Sequence, residues 1–212
     1  MTEPDVAYVW LMNGARTECC DRFDAHVLAS VFALAIAETN TAGVSLSQNT
    51  GLTAPALGDI LRAVFPHAVA LADGLEGCDD YVVAEDERSL RELLGRSSTN
   101  RSPLQRYFAA LIARRAMRPN HLWQDLGLCN RGELGELMRR HFAPLAARNV
   151  NDMKWKKFLY RTICRDEGFR LCTAPSCAQC DDFAVCFADE SGESLLARNR
   201  RAVECIPDVM TA

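Results

Sequence analysis

The sequence predicts an all-α protein carrying a cysteine-rich metal-binding loop. Three observations predict it. Apolar residues recur at helical spacing in segment after segment, alternating strand patterns are scarce, and four cysteines fall within the fifteen residues 172–186. A chain of 212 residues can bury a core without disulfide staples. Its composition, 49% hydrophobic and 25% charged, is that of a soluble globular protein and excludes wholesale disorder.

The elements follow in chain order. Asp24 to Thr39 carries Val27, Leu28, Val31, Phe32, Ala35 and Ile36 at a period near 3.6. The polar, glycine-bearing stretch from Asn40 to Gly51 reads as a connection. Thr53 caps a helix with Pro55 in its first turn, a stripe of Leu57, Ile60, Leu61 and Val64, and a stop at Pro66. Ala84 to Leu94 is a short helix whose acidic first turn, Glu85-Asp86-Glu87, suits the helix dipole, and Gly95 is expected to end it. After the polar linker 96–101, Ser102 caps and Pro103 opens a helix to about Met117. Asn130 with Glu133 resembles a capping box for Arg131 to Phe142, before Pro144. Asn151 or Asp152 is expected to cap a helix through Trp155, Phe158, Leu159 and Ile163, with Gly168 past its end.

A faint repeat runs through these elements. Phe32-Ala33-Leu34-Ala35-Ile36-Ala37 aligns with Phe108-Ala109-Ala110-Leu111-Ile112-Ala113 at a shift of 76, as Gly51-Leu52 does with Gly127-Leu128. At a shift of 77, Leu57, Ile60, Leu61 and Phe65 meet Leu134, Leu137, Met138 and Phe142. Two packed helical units, with a possible internal duplication, are the expected architecture. Residues 1–100 form an acidic N-terminal unit, 101–170 a basic C-terminal unit, 171–187 the cysteine cluster loop, and 188–212 a mobile tail.

Charge is uneven. Residues 1–95 carry a balance of −10, residues 96–170 one of +10, and residues 171–212 one of −4. The simpler reading is that the halves neutralise each other on folding. The sharper one is a basic docking face, carried by Arg114-Arg115 with Arg118 and by Lys154-Trp155-Lys156-Lys157. A net charge of −4 argues against whole-surface binding to nucleic acid. The longest apolar stretch, 27–37, is too short to span a bilayer, and Met1 to Asp5 lacks the start of a signal peptide. A cytoplasmic location is therefore expected, with neither a membrane nor nucleic acid as partner.

Ten cysteines in a reducing compartment point to metal or redox chemistry. Cys172, Cys177, Cys180 and Cys186 give the pattern C-x4-C-x2-C-x5-C, among polar and turn-forming residues. Four thiolates suit zinc, copper(I) or an iron–sulfur cluster. Structural zinc sites usually set two short knuckles across a longer loop, whereas these four are strung evenly, which favours a cluster several ångströms across. Zinc and redox thiols remain open on spacing alone. Pro175 stiffens the first interval, and the basic lead-in segment can balance a negatively charged cluster. Asp181 and Asp182 read as a solvated loop tip, or as oxygen ligands for an incoming metal.

The segments His121-Leu122-Trp123-Gln124-Asp125-Leu126-Gly127-Leu128 and Asn151-Asp152-Met153-Lys154-Trp155-Lys156-Lys157-Phe158, followed by the four-cysteine signature and Phe187, resemble the NifQ family of nitrogen-fixation proteins. The resemblance implies a molybdenum donor for the iron–molybdenum cofactor of nitrogenase, and not an enzyme. It implies Cys172, Cys177, Cys180 and Cys186 as ligands of a molybdenum–iron–sulfur cluster, with three irons and one molybdenum, or of an iron–sulfur precursor. It implies as partners the nitrogenase iron protein and the scaffold on which the cofactor is assembled. The other reading is a zinc-stabilised helical interaction module with a basic partner-binding face.

The remaining candidates are weaker. Cys164 reads as a packed helix residue, and Cys19, Cys20, Cys78, Cys129 and Cys205 lack ligand-like spacing. His141, beside Arg139 and Arg140, reads as exposed. His121 is the better nitrogen donor, with a structural hydrogen bond as its simplest role. Trp155, Phe158 and Leu159 read as core. No nucleophile motif or glycine-rich phosphate loop is present.

Overall fold

A computed structural model describes residues 3–18, 20–72 and 82–166. Ten α-helices and one 3-10 segment make up its regular structure: α1 (Pro4–Asn13), α2 (Arg22–Ala42), α3 (Leu46–Thr50), α4 (Ala54–Val64), the 3-10 segment (Pro66–Ala72), α5 (Glu85–Arg96), α6 (Pro103–Ala116), α7 (Leu122–Asp125), α8 (Arg131–His141), α9 (Ala143–Ala146) and α10 (Trp155–Asp166). No strand occurs among the described residues, in line with the all-α expectation. The cysteine loop and the tail lie outside the described residues.

Most caps are those the residue types predict. Thr53 and Ser102 accept backbone N–H groups at the starts of α4 and α6. Asp21 caps α2 by accepting the Asp24 N–H at 2.9 Å, so that helix starts at Arg22, two residues before the expected segment from Asp24. Three expectations are corrected. Helix α5 runs through Gly95 to Arg96, with Ser97 as its C-cap, because Gly95 does not leave helical geometry. At α8, Asn130 accepts the Glu133 N–H, but the Glu133 carboxylate takes the Cys129 N–H, so the capping box does not close. Neither Asn151 nor Asp152 caps α10, which begins at Trp155. Asp152 instead turns the chain at φ 50°, with its carboxylate held by Arg131 at 2.9 Å. The short α3, inside the presumed connection 40–51, is held by a capping box between Ser45 and Gln48.

Helix α2 is the centre of the core. Every residue from Val27 to Ala37 is buried, which is what a helix apolar on all sides requires. By length and composition α2 is the one described helix that could cross a membrane, yet its surface is spent on protein. Helix α1 packs along it through Ala7 and Leu11, and buried side chains from α4, α5, α6, α8 and α10 join the same cluster. Each large apolar side chain so buried contributes about 1.5–3 kcal/mol.

The two repeat segments form matching series, α2–α3–α4 and α6–α7–α8. Gly51 and Gly127 follow the short middle helices at φ 72° and 73°. Helices α4 and α8 have eleven residues each and are closed by Phe65 and Phe142 in similar non-helical conformations. The packing is reciprocal. A Cβ on Gly51 would strike Arg114 of α6, and one on Gly127 would strike Ser30 of α2.

The opposed charges meet inside the fold. Arg115, 1% exposed, donates through Nη1 to Glu38 at 2.8 Å, and Arg118 reaches the same oxygen at 2.8 Å. Glu87, fully buried, receives Arg91 at 2.6 Å and Arg114 at 3.3 Å. The run 114–118, considered as a docking surface, is thus committed to acidic residues of the N-terminal half.

Candidate metal centre

The four predicted ligands Cys172, Cys177, Cys180 and Cys186 lie outside the described residues, as do Cys19, Cys78, Cys205, Gly168 and Arg170. The structure does describe the helix that leads toward them. Trp155, Phe158, Leu159 and Ile163 of α10 face the core, and the Trp155 and Phe158 rings meet edge to face at 5.8 Å. Lys156 was grouped with the docking lysines by sequence. Its Nζ instead donates to the buried Asp125 carboxylate at 2.6 Å and to the Arg118 carbonyl. Asp125 belongs to the segment around Trp123 and Lys156 to the segment around Trp155, so this ion pair joins the two motifs that carried the family resemblance. Arg96 and Arg148 hold Asp166 at the far end of α10. Lys157 and Arg165 stay exposed on the helix, and Lys154 and Arg161 are half-buried beside them.

His121 precedes α7, where Gln124 accepts its backbone N–H at 3.3 Å. His141 is not exposed. The last turn of α8 carries its ring inward against Phe108, and Nε2 lies 2.9 Å from the buried Asp24 carboxylate. Cys164 is half-buried in α10. Cys20 is buried and lines a cleft of about 480 Å³ with Asp24, Arg140 and His141. There Arg140 also pairs with Asp21, and that guanidinium holds the Asp21 carboxyl below the usual range.

Cys129, which spacing marked as incidental, is brought beside His26 and Glu133. One nitrogen, one sulfur and one carboxylate oxygen from the three side chains lie within 4.8 Å of one another. His26 comes from the first half of α2. Cys129 and Glu133 flank the N-terminus of α8, one turn apart. His26 Nε2 is 3.2 Å from Glu133 Oε2, and Nδ1 is 2.8 Å from the Tyr8 hydroxyl. Glu133 Oε2 also accepts the Cys129 N–H at 2.8 Å. Cys129 is exposed, while His26 and Glu133 are half-buried.

The charges are coupled. Burial raises the Glu133 carboxyl, but the hydrogen bonds from His26 and the Cys129 amide outweigh it and hold the group below its ordinary range. Desolvation on the protein side and the Glu133 carboxylate push the Cys129 thiol up. Burial, the Cys129 thiolate and Glu133 likewise raise the Tyr8 phenol. The sequence signal was slight: a Cys–Glu pair at i, i+4, with its histidine more than a hundred residues away.

The sequence model of the NifQ family matches residues 27–188, from α2 through the whole four-cysteine segment. A Sinorhizobium fredii protein named Protein NifQ homolog is 42% identical over 175 residues, 81% of this chain and 75% of its own length. The Azotobacter vinelandii Protein NifQ is 32% identical over 151 residues, 66% of this chain and 77% of its own. The Rhodobacter capsulatus Protein NifQ is 45% identical over 106 residues, 50% of this chain and 58% of its own. No solved structure matches.

Proposed function

The chain belongs to the NifQ family of nitrogen-fixation proteins, and from that premise we propose that it carries a molybdenum–iron–sulfur cluster and donates molybdenum for the iron–molybdenum cofactor of nitrogenase. One observation carries the reading. Four thiols at C-x4-C-x2-C-x5-C lie inside the family-matched span, among residues that are largely polar or turn-forming. Cys172, Cys177, Cys180 and Cys186 are the ligands, and the cargo has three irons and one molybdenum, or starts as an iron–sulfur precursor. The protein is a carrier and not an enzyme, and it works in the cytoplasm.

Anaerobic purification with metal and sulfide analysis tests this. Brown protein containing iron, sulfide and molybdenum is expected. Each single Cys→Ser variant should lose metal, because a harder oxygen donor suits the cluster poorly. Unchanged iron and molybdenum in all four variants refutes the ligand set. Colourless protein with one zinc per chain supports a zinc-stabilised interaction module instead.

The acceptors are the nitrogenase iron protein and the cofactor assembly scaffold, with neither nucleic acid nor membrane involved. Docking through α10 is supported by Lys157 and Arg165, which remain exposed after Arg114, Arg115, Arg118 and Lys156 are committed internally. Charge of one sign beside the transferring group speeds encounter and makes it salt-sensitive. Lys157→Glu with Arg165→Glu should slow molybdenum transfer most at low ionic strength, with cluster content intact. Equal transfer rates at all salt concentrations would end the docking assignment.

The two helical units also read as an internal duplication. The matched glycine conformations, the equal lengths of α4 and α8, and the reciprocal glycine contacts support it.

A further inference from the structure

We propose that His26, Cys129 and Glu133 form a metal site for a single divalent transition-metal ion, with ligands other than the four loop cysteines. The donors are an imidazole nitrogen, a sulfur and a carboxylate oxygen, a mixed set that suits borderline ions such as Fe²⁺, Co²⁺ or Zn²⁺ and not hard ions such as Mg²⁺ or Ca²⁺. Their mutual separation, within 4.8 Å, needs only small rotamer adjustment to place each about 2.0–2.3 Å from one ion. The ion would replace the proton now shared between His26 Nε2 and Glu133 Oε2.

A second feature of the site points the same way. Histidines that ligate metals usually donate the other ring N–H to an oxygen, which fixes the tautomer and aims the lone pair. Here the Tyr8 hydroxyl stands 2.8 Å from Nδ1, so that nitrogen can carry the hydrogen and leave Nε2 free as donor. The Tyr8 and His26 rings also meet edge to face at 5.6 Å, which limits rotation of the imidazole. Glu133 is oriented in the same manner, by the Cys129 amide. Two of the three ligands are thus held before any ion arrives.

The character of the site follows from its ligand count. Closed structural sites use four protein ligands, whereas three leave a position for water or an exchanging ligand. The thiol sits at the surface, so an ion can enter and leave without opening the core. This is a site of ready exchange. The inference rests on α1, α2 and the start of α8, and does not depend on what the cysteine loop carries.

Cobalt(II) is the probe. The full-length chain with Cys172, Cys177, Cys180 and Cys186 all changed to serine removes competition from the loop, and far-ultraviolet circular dichroism verifies that each variant is helical. Titration should produce a thiolate-to-cobalt charge-transfer band in the near ultraviolet, with one ion bound per chain. Adding Cys129→Ser should abolish the band. Glu133→Gln, which keeps an acceptor for the Cys129 amide, and His26→Gln should each weaken binding by about tenfold or more. Where His26→Gln lowers helicity, Cys129→Ser and Glu133→Gln decide. A band that survives Cys129→Ser, or no band at millimolar cobalt, overturns the assignment.

Discussion

Alanine at position 115 is expected to cost the fold about 3 kcal/mol, as a lower midpoint in urea with an unchanged slope. The Arg115 side chain is 1% exposed and crosses between three elements. Nε donates to the Asp125 carbonyl at 2.5 Å and Nη1 to Glu38 at 2.8 Å, tying α6 to α7 and α2. Removing one partner of a buried pair typically costs about 3–5 kcal/mol, because the other group stays buried with its charge uncompensated. Glu38 is about a third exposed and keeps Arg118, which sets the effect at the low end. The Asp125 carbonyl loses the Arg115 hydrogen bond altogether. A measured loss under about 1 kcal/mol would show that the guanidinium is incidental to α6 packing.

The second large effect belongs to Gly127→Ala, also about 3 kcal/mol. A φ of 73° costs a residue with a Cβ roughly 1 kcal/mol. The new Cβ would also lie 2.8 Å from the Ser30 carbonyl oxygen and 3.1 Å from Leu34 Cδ1. The first of these is backbone, so α2 itself must give way, and overpacking of that kind adds about 1–3 kcal/mol. Gly43 provides the comparison within the same molecule. It has nearly the same backbone angle, φ 67°, but nothing within 4 Å of its would-be Cβ. Gly43→Ala should therefore show the backbone cost alone. If the two variants melt together, close approach of α7 to α2 does not matter to stability.

Periodicity and caps exposed the long helices in the sequence because each buries one face on the core. The stripe of α4 and the caps Thr53, Ser102 and Asn130 were legible for that reason. Helices α3, α7 and α9 were not, since four or five residues complete barely one period. The pattern of α1 is blurred because Val6 and Val9 are half-exposed beside its buried Ala7 and Leu11. Charge was legible in bulk but not in detail. Adjacent arginines 114 and 115 read as one basic run, yet helical geometry sends one to Glu87 and the other to Glu38. The His26–Cys129–Glu133 cluster was invisible because it exists only once α8 is laid across α2. The cysteine loop is the opposite case: its spacing marks Cys172, Cys177, Cys180 and Cys186 as candidate ligands in the sequence, and they lie outside the described residues.

The long-range polar pairs join residues that are made far apart in time. Asp24 is matched by Arg140 and His141, Glu38 by Arg115 and Arg118, and His26 by Glu133. On the ribosome the first ninety-five residues emerge with a balance of −10, and the arginines that offset it have yet to be added. Helix α2, apolar on every side, spends that interval without the cover of α6, α8 and α10. The acidic residues around it keep this stretch soluble and repelled from copies of itself while it waits. The same charges then draw in α6 and α8 as they emerge, so the acidic half serves the growing chain as a built-in guard against aggregation.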